Sequence, residues 1–251
     1  MTHLSRALIA VAVYFGVVCA VAVLSSSVPA NNGGLESALW RLFGLELLLL
    51  LICVVYVRRY SSWTPIGFGR LRWRGLFWLL PAAALLWAVG IGTLRAWQIN
   101  DWVPLRADTS VLIVAVPIMI GFTEEVMFRG ILLRAALNRL PVFSAMLLSA
   151  VLFGLLHGAS AIVQPVAHAV AQQIAFAFFV GVFLAPVALR AGSLWVVIIW
   201  HALWDMLIYA SHVVGAVHPY VLIGILIQAL VSIVLWKRLV DEDKTRHRDT
   251  S

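Results

Sequence analysis

Charge is scarce in this 251-residue chain: only 12% of residues are Asp, Glu, Lys or Arg, 63% are hydrophobic, and the mean hydropathy is +1.00. A soluble domain of this length carries about twice that charged fraction. The apolar residues come in long blocks without amphipathic spacing, which marks an all-α, polytopic transmembrane helix bundle. Cysteine is also rare. Cys19 and Cys53 both lie in apolar stretches, so a disulfide framework or a cysteine-based zinc site is ruled out and both read as small buried hydrophobes. Lysine is almost missing, because sixteen of the eighteen basic residues are Arg. The net charge of +7 does not point to nucleic acid, since no basic face is interleaved with aromatic residues. The chain also lacks an internal repeat, a low-complexity stretch and a separable soluble domain.

What is present are eight apolar spans, predicted at about 7–27, 38–57, 76–96, 111–133, 143–160, 170–189, 194–213 and 219–237, each near the ~20 residues that cross a bilayer. The first resembles a signal peptide, with "VPA" before Asn31 as its cleavage site. Its apolar run exceeds the roughly 7–15 residues of such a segment, so a retained helix is expected. The connection 58–75, "RRYSSWTPIGFGRLRWRG", has five Arg and no acid. Arg134, Arg139, Arg190, Lys237 and Arg238 fall on the same side. Opposite connections are poor in net positive charge: Arg95 and Arg106 are balanced by Asp101 and Asp108. This asymmetry predicts a multi-pass cell-membrane protein with both termini in the cytoplasm. The expected organisation is one integral-membrane unit over 1–251, a core at 111–210 and a polar, frayed cytoplasmic tail at 238–251.

Against that background "GFTEEVMFRG" at 121–130 is out of place. Glu46, Glu124, Glu125, Arg129 and Asp205 all fall within apolar spans, as do His157 and His201. An ionised side chain at the bilayer centre costs roughly 2.5–3.5 kcal/mol or more, so these groups must meet one another, a metal or water. Glu125 and Arg129 are four residues apart and share a helix face, as do His201 and Asp205, and Phe153 and His157. Glu124 is offset from Glu125 by about 100°. Counted from the arginine-rich ends at 1.5 Å per residue, the acids and imidazoles lie roughly 12–20 Å deep, which predicts one polar layer near mid-membrane. Two imidazoles and a carboxylate form a common hydrolytic zinc set, and a further carboxylate beside it can take the proton of an attacking water. Asp205 either orients His201 or ligates the metal itself.

Glu124-Glu125-x-x-x-Arg129, Phe153-x-x-x-His157 and His201-x-x-x-Asp205 occur in that order on three apolar spans. This set resembles the CAAX-processing and bacteriocin-processing (CPBP, or Abi) family of intramembrane proteases, related to the Ras-converting CAAX endopeptidase, and the resemblance covers about 111–210. It implies an intramembrane metalloendopeptidase acting on a membrane-associated peptide or protein, prenylated or bacteriocin-like, with the lipid bilayer as its other partner. By that resemblance Glu124 activates water, and Glu125, His157 and His201 belong to the same catalytic centre. Arg129, Asp205 and Phe153 support it, and His157, His201 and Glu125 are the expected zinc ligands.

Plainer readings compete. Glu124, Glu125 and Arg129 also suit a structural ion network, and His201 with Asp205 suits an interhelical clamp. A proton relay or an ion-coupled transporter uses such side-chain chains too, although paired broken helices and inverted repeats are not evident in the sequence. A catalytically idle immunity or scaffold protein is the third alternative. Glu46 has no evident partner except Arg41, and a neutral packing role is expected for it. His168, His212 and His218 read as solvated residues of the connections, and Trp97, Trp102 and Tyr220 as interface anchors.

Overall fold

A computed structural model describes residues 3–27, 34–102, 104–163 and 166–249. Eight stretches within it are helices long and apolar enough to cross a membrane. The first two are α1 (His3–Ser26) and α2 (Gly34–Tyr60). A 3-10 turn, Trp73–Leu79, leads into α3 (Leu80–Ile99). The fourth span joins α4 (Ala107–Glu125), a π-helical segment (Val126–Leu132) and α5 (Leu133–Leu137). The fifth joins α6 (Val142–Leu156), a 3-10 turn (His157–Ala159) and α7 (Ser160–Val163). Then follow α8 (Ala167–Ala191), α9 (Trp195–Val213) and α10 (Val221–Asp249). All eight predicted spans are present; seven are longer than predicted, and the seventh, Trp195–Val213, is one residue shorter. The proposed "VPA" cleavage site lies outside the described residues.

Helix ends run past the apolar runs because the chain outside the hydrocarbon finds local partners. The tail, expected to fray from 238, instead continues α10. Arg190 on α8 donates two bonds to Glu242, at 2.7 and 2.9 Å, and the Val142 amide at the start of α6 donates to Asp243 Oδ2 at 3.3 Å. A carboxylate at a helix N-terminus meets unpaired amides there, so the tail is clipped to two neighbouring spans.

The arginine-rich connection is pinned as well. Leu194 N donates to Gly67 O at 2.9 Å and Arg72 N to Ala191 O at 2.8 Å. Gly67 takes a φ of +120°, and a Cβ there would lie 2.9 Å from Leu194 Cγ, so only glycine serves at this turn. Gly192, at φ +70°, ends α8 as a left-handed C-terminal glycine. The result is a tight lid joining residues 63–72 to the α8–α9 turn.

The fourth span is the most enclosed of the eight. α4 packs against α2 and α9, and α6 packs against α8. Close approach comes from glycine. At Gly121 a Cβ would lie 2.8 Å from Ala202 N on α9, and at Gly181 one would lie 2.9 Å from Ala150 Cα on α6. Small residues of this kind let helices meet at backbone distance, where van der Waals contact drives association in lipid.

Candidate active site

Glu124 and Glu125 close α4 just before the π-helical segment begins. Such segments widen a helix by one residue per turn and occur often at functional sites. Here every residue from Val126 to Leu132 is buried, and Ser149 on α6 donates to Phe128 O inside the widened turn at 2.9 Å. The sequence carries no sign of it.

Behind the acids lies a fully enclosed ion pair. Arg129 NH1 donates to Glu125 Oε1 at 2.8 Å, and neither side chain is exposed to any degree. His201 Nδ1 donates to the same oxygen at 2.9 Å. The guanidinium carbon of Arg129 sits 4.0 Å above the Phe153 ring, within cation–π reach. Phe153 in turn meets the rings of His157 and His201 edge-on, with centroids 5.1 and 5.9 Å away. Phe153 is thus a central spacer for both imidazoles and the guanidinium.

The face toward open space is different. A cavity of about 580 Å³ is lined by Glu124, His157, Asp205 and Glu46, with apolar walls from α1 and α2. Glu124 Oε2 has no hydrogen-bond donor among the described residues, although His201 Nε2 stands 3.8 Å from it. His201 Nε2 is also 3.5 Å from Asp205 Oδ2. His157 Nδ1 donates to Phe153 O at 3.0 Å. A carbonyl only accepts, so Nδ1 carries the proton, and in the neutral ring Nε2 offers a lone pair.

The structure therefore brings every predicted site residue together, but in two layers. Glu124, His157 and Asp205 face the cavity, whereas Glu125, His201, Arg129 and Phe153 form its back. Glu46 differs from expectation. Its partner is Thr123 on α4, whose Oγ1 donates to Glu46 Oε2 at 2.6 Å, and Tyr14 on α1 donates to that Thr123 oxygen at 3.2 Å. Arg41 donates to Ser37 at 3.0 Å instead. Glu46 is the acid that sequence reasoning left out of the site, because its partner lies on another helix; its one local sign was a carboxyl alone in an apolar run. His218 also departs from the solvated reading, for Ser211 Oγ, at 2.9 Å, and Tyr220 OH, at 3.0 Å, hold its ring.

The expected zinc set does not fit as arranged. Glu125 Oε1 already serves Arg129 and His201, so a metal there would press against a guanidinium and compete for His201 Nδ1. Among the described residues, three His, Cys, Asp or Glu side chains are nowhere grouped as a metal would need.

Residues 106–207, which carry all three motifs, match the family described as type II CAAX prenyl endopeptidase Rce1-like. Over this segment the chain is similar to the Rce1-like family. The match takes in α4, the π-helical segment and everything onward to the middle of α9, and it leaves α1 to α3 and α10 outside. No curated protein and no solved structure matches the chain. The Rce1-like family is one of membrane-embedded proteases acting on membrane-associated protein substrates. Glu46, on α2, lies outside the matched segment.

Proposed function

We propose that the chain is an intramembrane endopeptidase of the cell membrane that hydrolyses a peptide bond of a membrane-associated substrate with water activated by Glu124. What supports this is the pairing of two groups on one cavity: the Glu124 carboxylate, whose buried Oε2 has no donor among the described residues, and His157, whose Nε2 is freed by the bond of Nδ1 to Phe153 O. A water held by both gives up one proton to Glu124 while its oxygen attacks the carbonyl carbon. The carbonyl oxygen becomes an oxyanion as the new C–O bond forms. His201, carried as an imidazolium among the carboxylates of Glu125, Glu124 and Asp205, has a second N–H at Nε2 whose proton steadies that charge. Glu124 then hands its proton to the amide nitrogen, the C–N bond breaks, and an acid and an amine leave.

Glu125 and Arg129 act from behind. Their pair fixes the His201 ring through Nδ1, so that Nε2 points forward. This arrangement favours a hydrolase over a proton relay, because the buried ion pair ends the polar chain on the side away from the cavity.

The experiment is hydrolysis of a quenched, lipid-anchored peptide by purified protein in nanodiscs. Glu124→Gln is expected to lower turnover by on the order of 10²–10⁴, the range for general acid–base catalysis, with folding unchanged. Wild-type turnover in Glu124→Gln would remove the proposal.

A further inference from the structure

The cavity has a direction. Its floor is buried at Glu46, Leu49, Glu124 and Leu156, while Gln173 and His212 at its mouth are exposed. The mouth lies at the ends of α8 and α9 farthest from the arginine-rich connection. The opposite end is closed. Phe68 contacts Trp63, Phe122 and Trp195, with ring centroids 5.3, 6.0 and 5.2 Å away. Beside this plug, Gly130 leaves no room for a side chain, since a Cβ there would lie 3.1 Å from Leu194 Cδ1 and 3.2 Å from Ile66 O. The two backbone bonds from Leu194 and Arg72 hold that lid in place.

Charge orients the molecule. Arg6 and Arg59 lie over Tyr60, Arg238 lies over Trp78, and Arg190 pairs with Glu242, all at the closed end. At the open end Arg106 is neutralised by Asp108 and Glu36, at 3.2 and 3.8 Å. An excess of unbalanced Arg and Lys marks cytoplasmic connections. The closed end is therefore cytoplasmic, and the mouth opens on the other side.

We infer that this site takes its substrate from the non-cytoplasmic side of the membrane: an exported or membrane-inserted peptide, not a protein lipidated in the cytoplasm. The direction of access stands on the cavity and the charges alone, whereas hydrolysis rests on the proposed function above. Asp205 lies seven residues below His212 on α9, roughly 10 Å at 1.5 Å per residue. An extended chain covers that in about three residues. The substrate must therefore offer an unfolded end or loop of at least that length at the outer surface.

The experiment uses the full chain in intact bacterial cells and a membrane-impermeant maleimide. Gln173→Cys and His212→Cys probe the mouth, Ser62→Cys probes the closed end, and the wild type serves as the blank. Both mouth cysteines are expected to label in intact cells, and Ser62→Cys only after permeabilisation. The reverse pattern overturns the inference, as does a mouth that stays unlabelled in permeabilised cells. Labelling needs no turnover, so a Glu124→Gln chain gives the same pattern even if the protein hydrolyses nothing. A peptide cut by detergent-solubilised protein, yet left intact when added outside wild-type cells, would also overturn it.

Discussion

Gly121 is where the packing of two helices and the geometry of the polar layer are most directly coupled. It lies one turn before Glu125, and on α9 it faces Ala202, the residue after His201. A Cβ there would stand 2.8 Å from Ala202 N and 3.1 Å from both Ala202 Cα and Ile198 O. These are backbone atoms, so no side chain can swing aside. To restore an ordinary contact of 3.4 Å, α4 and α9 must part by about 0.6 Å, an overpacking strain of about 1–3 kcal/mol. A separation of that size carries the 2.9 Å contact between His201 Nδ1 and Glu125 Oε1 to about 3.5 Å, beyond a charge-assisted hydrogen bond. Misplacing catalytic groups by about 1 Å can cost 10²-fold, so Gly121→Ala is expected to lose on the order of tenfold in kcat and several degrees in Tm. Gly90→Ala is the control, because its nearest neighbour is a Leu207 methyl at 3.9 Å. Peptide hydrolysis in nanodiscs and thermal melting in detergent read both effects. If Gly121→Ala matched the wild type in both, the contact between α4 and α9 would not set the site.

Other outcomes follow from the same geometry. Arg129→Met leaves Glu125 buried without its cation and is expected to cost about 3–5 kcal/mol, read as a fall in Tm. Adding Glu125→Gln should recover part of that loss, and failure to recover any would mean that the pair is not what Arg129 holds. Elemental analysis of active, purified protein is expected to find no stoichiometric zinc. One zinc per chain, lost in His157→Ala or His201→Ala, would overturn the reading of the donor set. Burial lowers the pKa of His218 below its ordinary value, so folding favours the neutral ring. Its stabilising contribution is complete above an ordinary pKa of about 6.5 and is lost as pH falls. Amide exchange across 214–220 should accordingly rise in acid, and a flat profile would rule out the titration. Gly92→Ala should loosen the same loop at neutral pH, since a Cβ there would lie 2.8 Å from both His218 Cε1 and Tyr220 OH.

The spans were legible because lipid imposes a single demand on every stretch that crosses it: enough consecutive apolar residues to keep the backbone covered. Their ends were not legible, because α2 and α10 continue on polar residues whose partners lie elsewhere. The bond from Arg190 to Glu242 joins residues 52 apart in sequence, and spacing along one helix cannot reveal it. For the same reason Arg129 and Glu125, four residues apart, could be paired from the sequence, whereas Glu46 and Thr123, 77 apart, could not. The π-helical segment escaped notice because one extra residue per turn alters register without altering composition.

The direction of the cavity was hidden for a further reason. Depth along each helix placed the polar groups near mid-membrane, which is equally distant from both surfaces and so favours neither. What decides the opening is which end of the bundle is plugged, and that depends on residues with no charge at all. Trp63 and Phe68 come from the arginine-rich connection, where the sequence draws attention to the arginines alone. Gly67 and Gly192, both at positive φ, fold that connection back against the α8–α9 turn, so the aromatic rings fill the arginine-rich end beneath Phe122. The arginines from which the orientation is inferred thus sit on the same short segment as the aromatic plug. In the proposed reading one lid couples orientation to access, and the polar layer, two residues from Phe122 on α4, lines a cavity whose exposed residues Gln173 and His212 lie at the other end.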